Sequence, residues 1–210
     1  MSCNSSKNKK KGKKVGGNEL KINDDKNKKS SIEEYEIKTC FLGDVSTGIL
    51  IATSICKNNF NEKYMNTIDG IYQQTIILLN HRKMKFTFWV IRNDERFRSM
   101  ANLYYRDAQV AILTYDVADE KSLERLTYWL KELDDKIEID NILLYLVGNI
   151  NGVESDQRKI PTEKGKEFAE KNNMIFYEIS TKTGDGVKEL FQAIATKVDS
   201  LISENNQNNL

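Results

Sequence analysis

Histidine and cysteine are scarce in this chain: His81 stands alone, and the cysteines are Cys3, Cys40 and Cys56. An odd set of thiols without C-x-x-C spacing argues against a disulfide framework or a zinc site and reads as reduced cysteine. His81 lies in the polar turn "NHRK" between two apolar segments, where a solvated hairpin residue is expected, so histidine-based catalysis has no other candidate. No run of 18 apolar residues occurs and the N-terminus lacks an apolar h-region. Neither a transmembrane span nor a secretory signal is expected, which places the chain in the cytosol.

Net charge is also small, but it is unevenly spread. Residues 1–30 hold ten Lys against Glu19, Asp24 and Asp25, net +7, which leaves 22 basic and 28 acidic residues, net −6, for the remainder. "NSSKNKKKGKKVGG" has too little apolar content to fold by itself. The reading is a basic, disordered arm over 1–34, one folded domain over 35–203 and a polar tail over 204–210. Such an arm meets something anionic; no aromatic residues interleave with its lysines, so nucleic acid ranks below a membrane surface.

From Tyr35 the pattern turns to alternating strands and helices. "YEIKTCFLG" reads as a strand feeding a glycine turn, with a helix starting at "ILIATSIC". "QQTIILLN" and "KFTFWVI" read as an antiparallel hairpin around "HRKM", and "QVAILTYDV" as a strand buried on both faces. "DEKSLERLTYWLKELDD" carries Leu123, Leu126, Trp129, Leu130 and Leu133 on one helical face. The strand "NILLYLVG", the helix "TEKGKEFAEKN" capped by Thr162 after Pro161, the strand "MIFYEIS" and the helix "GVKELFQAIATKVDSLISE" complete the series. The alternation specifies an α/β, doubly wound, mostly parallel sheet covered by helices on both faces, with ligands expected beyond the strands' carboxyl ends.

At that end lies "FLGDVSTGIL". The loop of Gly43, Asp44, Val45, Ser46, Thr47 and Gly48 has the glycine spacing of G-x-x-x-x-G-K-[ST], in which backbone amides ring a phosphate, Lys reaches the outer phosphates and a hydroxyl holds Mg²⁺. Ile49 and Leu50 occupy the Lys and hydroxyl positions, and neither can bind phosphate or metal.

The run "ERFRSMANLYYRDAQVAILTYDVADEKSLERLTYWLKEL" closely resembles the second switch and following core of the Rab family of Ras-like small GTPases, in its endosomal branch, and the likeness extends from about Tyr35 to Ser203. The resemblance implies a six-stranded sheet with five helices. It assigns Thr67 in "MNTIDG" to the threonine that reaches Mg²⁺ and γ-phosphate, the one surviving metal candidate. The family's W-D-T-A-G-Q-E is "WVIRNDE" here, with Val90 for the metal-holding Asp, Asn93 for the Gly and Asp94 for the water-orienting Gln. N-K-x-D becomes Asn149, Ile150, Asn151 and Gly152, and S-A-K becomes Ser180, Thr181 and Lys182.

Losing the Lys, Mg²⁺ and Asp contacts at roughly 1.5–3 kcal/mol each costs on the order of 5–9 kcal/mol, or about four to six decades of affinity. The expectation is a pseudo-GTPase in endosomal or vesicle trafficking, without hydrolysis and without a catalytic residue; GTP or GDP with Mg²⁺ would bind only as a remnant. The alternative is a divergent GTPase that holds GTP through backbone contacts, Thr67 and the Ser180–Lys182 turn. Ile49, Leu50 and Val90 are expected to pack as an apolar plug.

The family's effector-reading aromatic triad maps to Tyr72, Trp89 and Tyr104, which makes trafficking effectors the expected partners. Most Rab proteins end in prenylatable cysteines, whereas "SENNQNNL" has none. "MSC" resembles the "MGC" of a doubly acylated subgroup but has Ser2 for the Gly, leaving Cys3 as a palmitoylation candidate beside Lys7 to Lys14. Peripheral attachment to endosomal or vesicle membranes is the resulting expectation.

Overall fold

The computed structural model describes residues 19–21, 32–57, 72–79, 81–91, 101–136, 142–150 and 157–208. Strand β1 spans Glu19–Lys21, β2 Glu33–Gly43, β3 Tyr72–Leu79, β4 Arg82–Val90, β5 Val110–Asp116, β6 Leu143–Asn149 and β7 Ile175–Ile179. Among the described residues five helices accompany them: α1 Val45–Lys57, α2 Ala101–Tyr105, α3 Leu126–Lys136, α4 Thr162–Lys171 and α5 Val187–Asn208. Sheet order is β1-β3-β4-β2-β5-β6-β7. β2 pairs in parallel with β4 and β5, and the parallel ladder continues through β6 and β7; β3 alone runs antiparallel to its neighbour β4.

Strands β2 to β7 are the six-stranded, doubly wound sheet that the resemblance implies. The seventh, β1, pairs in parallel with Ile76, Ile77 and Leu78 from within the segment expected to be a disordered arm. The apolar run of β3 presents an unpaired edge, and a three-residue strand can cover it with backbone hydrogen bonds that require no core of their own.

β2 begins two residues before the expected boundary at Tyr35, because its polar start is matched across the sheet. Glu33 stands opposite Arg82, Glu34 opposite Lys83 and Glu36 opposite Lys85, with ion pairs of 3.1, 3.0 and 3.2 Å. Arg82 reaches further, to Asp199 Oδ1 and Ser203 Oγ at 2.7 Å each, and ties α5 to the sheet. The hairpin turn is tighter than "HRKM", since Leu79 already pairs with Arg82.

Three helix boundaries also differ from the pattern. α3 starts at Leu126 because the Ser122 hydroxyl donates to the carbonyls of Asp116 (2.6 Å) and Asp119 (2.8 Å), holding the preceding residues in turns. Pro161, not Thr162, occupies the cap position of α4, and the Thr162 hydroxyl donates instead to Glu178 Oε2 at 3.0 Å. α5 continues to Asn208, through most of the expected tail, since "ENNQN" contains no Gly or Pro to stop it.

Helices on both faces give two cores. α1 and α5 cover one face, where Phe86, Phe88 and Phe191 meet with ring centroids 5.2–6.4 Å apart. α2, α3 and α4 cover the other, over Leu42, Leu113, Tyr115, Leu126, Trp129 and Leu133. Glycine is required here by space: a Cβ on Gly148 would lie 2.7 Å, and one on Gly165 2.4 Å, from the Tyr115 hydroxyl, so β6 and α4 seat that ring between two missing side chains.

Candidate functional site

The site grows from the carboxyl end of β2. Gly43 has φ +96°, in the left-handed region, and a Cβ there would lie 2.4 Å from the Thr114 carbonyl oxygen, so only glycine makes this turn. Thr114 then fastens the loop: its carbonyl accepts from the Asp44 N–H at 2.8 Å, while its hydroxyl reaches the carbonyls of Leu42 (3.1 Å) and Asp44 (2.8 Å).

Beyond Asp44 the loop departs from the sequence expectation. The helix does not wait for Ile49; it begins at Val45, four residues earlier, so Val45, Ser46, Thr47 and Gly48 are wound into its first turn. The Gly48 N–H donates to the Asp44 carbonyl at 3.0 Å in the i to i−4 pattern of an α-helix. The Asp44 carboxylate accepts from the Thr47 N–H at 2.7 Å, the bond an N-cap residue makes to the third helical amide. A short acidic side chain directly ahead of a run without proline explains the early start: it satisfies an orphan amide and its charge suits the positive helix end.

Ile49, Leu50 and Val90 are each only 4% exposed. Ile49 and Val90 belong to the core between α1, α5 and the sheet, and a Cβ on Gly48 would lie 3.2 Å from Val90 Cγ1 and 3.1 Å from Phe41 Cβ. Val90, which the resemblance maps to the metal-holding Asp, therefore packs directly beneath the second glycine of the loop.

Asn149, at the end of β6, joins the loop to the turn after β7. Its side-chain amide donates to Thr47 Oγ1 at 3.2 Å, and its carbonyl oxygen accepts from the Thr181 N–H and hydroxyl, both at 3.2 Å. Asn149 is 2% exposed and Thr181 fully buried, so these bonds replace water inside the protein. Ser180 is buried beside them and receives the Thr183 N–H on its hydroxyl, Lys182 points to solvent, and the Ile150 N–H donates to the Ile179 carbonyl. The structure thus brings Gly43 to Leu50, Val90, Asn149 and Ser180 to Thr181 to one end of the sheet. Thr67, Asp94 and Cys3 lie outside the described residues, as do Asn93, Asn151 and Gly152.

Two acidic residues also meet here. Asp116, at the end of β5, accepts from the Ala118 N–H at 2.8 Å. Its carboxyl is held above the ordinary aspartate value of 3.8, chiefly by burial, with the charges of Asp44 and Asp119 adding to the shift against the Ala118 bond. Thr114 and Asp116 carry no assigned role in the sequence reading, although "LTYDV" contains both; the signal available was their place at the carboxyl end of a central strand. Among the described residues no group of His, Cys, Asp and Glu is arranged to hold a metal ion.

The aromatic positions fall on the adjoining edge. Trp89 and Tyr104 are half-buried neighbours with ring centroids 5.6 Å apart at 43°. Tyr72 stands opposite Trp89 in the β3–β4 register.

A glycine-turned loop opening a helix at the carboxyl end of a central strand, fastened by an Asn to a second loop, defines the phosphate-loop class of nucleotide-binding folds. The Ras family sequence profile matches residues 38–200. Similar curated proteins include the GTP-binding protein YPT52 of Saccharomyces cerevisiae, 32% identical over 82% of this chain and 88% of that one. Ras-related protein Rab-5B of Plasmodium falciparum is 34% identical over 84% of each chain, and Ras-related protein Rab-5A of Dictyostelium discoideum 33% identical over 78% of this chain and 81% of its own. The chain belongs to the Ras family of small GTPases, among its Rab members.

Proposed function

We propose that the protein is a Rab-type interaction module in endosomal or vesicle trafficking whose fold and partner surface do not depend on bound nucleotide, and which does not hydrolyse GTP. The observation that carries this reading is the start of α1 at Val45 with the Asp44 carboxylate on its Thr47 amide. Of the backbone amides that ring a phosphate in the family, the Gly48 N–H is engaged within the helix and the Thr47 N–H by the Asp44 carboxylate, which holds the anion-favouring end. The burial of Ile49, Leu50 and Val90 adds to it: three polar contacts are replaced by aliphatic packing, at about 2 kcal/mol for each fully buried side chain.

Trp89 and Tyr104, with Tyr72 beside them in register, form the surface assigned to effector proteins. Attachment to an anionic membrane is assigned to Lys7 to Lys14 with Cys3. The second reading, a divergent GTP-binding Rab protein, is favoured by one observation: Asn149 still fastens Thr47 to Thr181, which would keep the two loops placed for a nucleotide.

The test is to denature freshly purified protein and resolve any released nucleotide by anion exchange. The expected result is less than stoichiometric GDP or GTP. In parallel, the triple variant I49K/L50S/V90D, measured without nucleotide, should melt at least about 10 °C lower, given roughly 2–4 °C per kcal/mol for a domain of this size. Stoichiometric nucleotide in the unmodified protein would overturn the proposal.

A further inference from the structure

Strand β2 alternates its side chains between the two cores, and Lys38 shares a face with Cys40 and Leu42, both in the core under α2 and α3. Lys38 itself is only partly buried, at the open end of that row. It finds acceptors at the end of α2, where Nζ donates to the carbonyls of Leu103 (3.3 Å) and Arg106 (2.5 Å). A five-residue helix is too short to persist alone, and its last carbonyls lack intrahelical partners. A cation placed on them satisfies those oxygens and complements the negative end of the helix.

The same stretch of β2 grips the chain beyond the helix. Gln109 Oε1 accepts from the Lys38 N–H at 2.7 Å and the Gln109 N–H donates to the Lys38 carbonyl at 3.0 Å, while Asp107 turns the backbone with φ +60°. On the inner side Tyr105 is fully buried and donates to Glu132 Oε1 at 2.8 Å. Leu103, 54% exposed, and Tyr104, packed on Trp89, are left facing outward.

We propose that Lys38 is a positioning residue that clamps the C-terminal end of α2 to the sheet and so keeps Tyr104 against Trp89 without a nucleotide. This rests on the reading of that aromatic pair as a nucleotide-independent partner surface, and adds Leu103 to it. β2 is also the strand that ends in Gly43, so the partner helix is fixed to the same rigid element as the altered phosphate loop.

Hydrogen exchange on the full-length chain tests the clamp. Lys38→Met keeps the stem and removes the charge; amides over residues 101–109 should exchange about tenfold faster, the factor that corresponds to about 1.4 kcal/mol, while α5 stays unchanged. Lys38→Arg should restore most of the protection, and Lys38→Gln replaces the Met variant if α5 exchange shows that Met disturbs the whole fold. In a Trp129→Phe background Trp89 is the sole tryptophan, and its emission should shift to the red in the Met variant. Parental exchange rates over 101–109 in both the Met and Gln variants would overturn the proposal. Slower exchange over 101–109 of the unmodified chain on adding GTP and Mg²⁺ would count against nucleotide independence, whatever Lys38→Met does.

Discussion

At the scale of single residues, Asp116 makes the site sensitive to pH. Its proton is held more tightly in the folded chain than in the unfolded one, because burial disfavours the carboxylate and Asp44 stands nearby. Above pH 3.8 the folded state therefore retains more protons than the unfolded one, and stability falls through that interval until the folded group has ionised. Asp116→Asn keeps an acceptor for Ala118 and removes the charge. Urea denaturation should show the Asn variant gaining stability over the parent at pH 7 and little at pH 4; an equal gain at both would assign the effect to packing. The identities at Gly43 and Gly48 were legible as a phosphate-loop pattern, since spacing in the chain reports them directly, and Asn149 through the family resemblance. The seat of Tyr115 between Gly148 and Gly165 was not, because three residues far apart in sequence meet only through tertiary packing.

At the scale of elements, the boundaries moved wherever a side chain bonded to backbone or to a partner across the sheet. Asp44 starts α1 four residues early, Ser122 delays α3, and the Glu–Lys and Glu–Arg pairs lengthen β2. None of these bonds is implied by hydrophobic periodicity, which reads only which residues are buried. Asp44→Ala removes the Thr47 bond and should cost about 1 kcal/mol, seen as faster exchange of the Thr47 amide and a lower urea midpoint. An unchanged midpoint would mean that packing of Ile49 and Leu50, and not the cap, sets where α1 begins.

At the scale of the whole molecule, charge and sheet edge belong together. The arm with net +7 over residues 1–30 contains β1, which covers β3 at the edge beyond Trp89 and Tyr72. Among the described residues no helix is long and apolar enough to cross a membrane. Replacing the six lysines between Lys7 and Lys14 with Gln removes about 1 kcal/mol per charge near an anionic leaflet. Cosedimentation with phosphatidylserine-containing vesicles should weaken by at least about a hundredfold, and binding that is equal on neutral vesicles would rule out the electrostatic mechanism.

The sequence by itself determined the α/β class and strands β2 to β7, because buried strands, amphipathic helices and glycine turns are written as local patterns of residue type, and the family through the resemblance of longer motifs. It also determined that Ile49, Leu50 and Val90 offer nothing polar to a ligand, since side-chain chemistry needs no coordinates. The tertiary structure decided that the loop is wound into α1, that Val90 lies beneath Gly48, that Glu19–Lys21 joins the sheet and that Lys38 reaches the end of α2. Each of these joins residues remote in sequence, or sets backbone and side-chain donors in competition for one acceptor. Such outcomes depend on distances of about 3 Å that only the folded chain fixes.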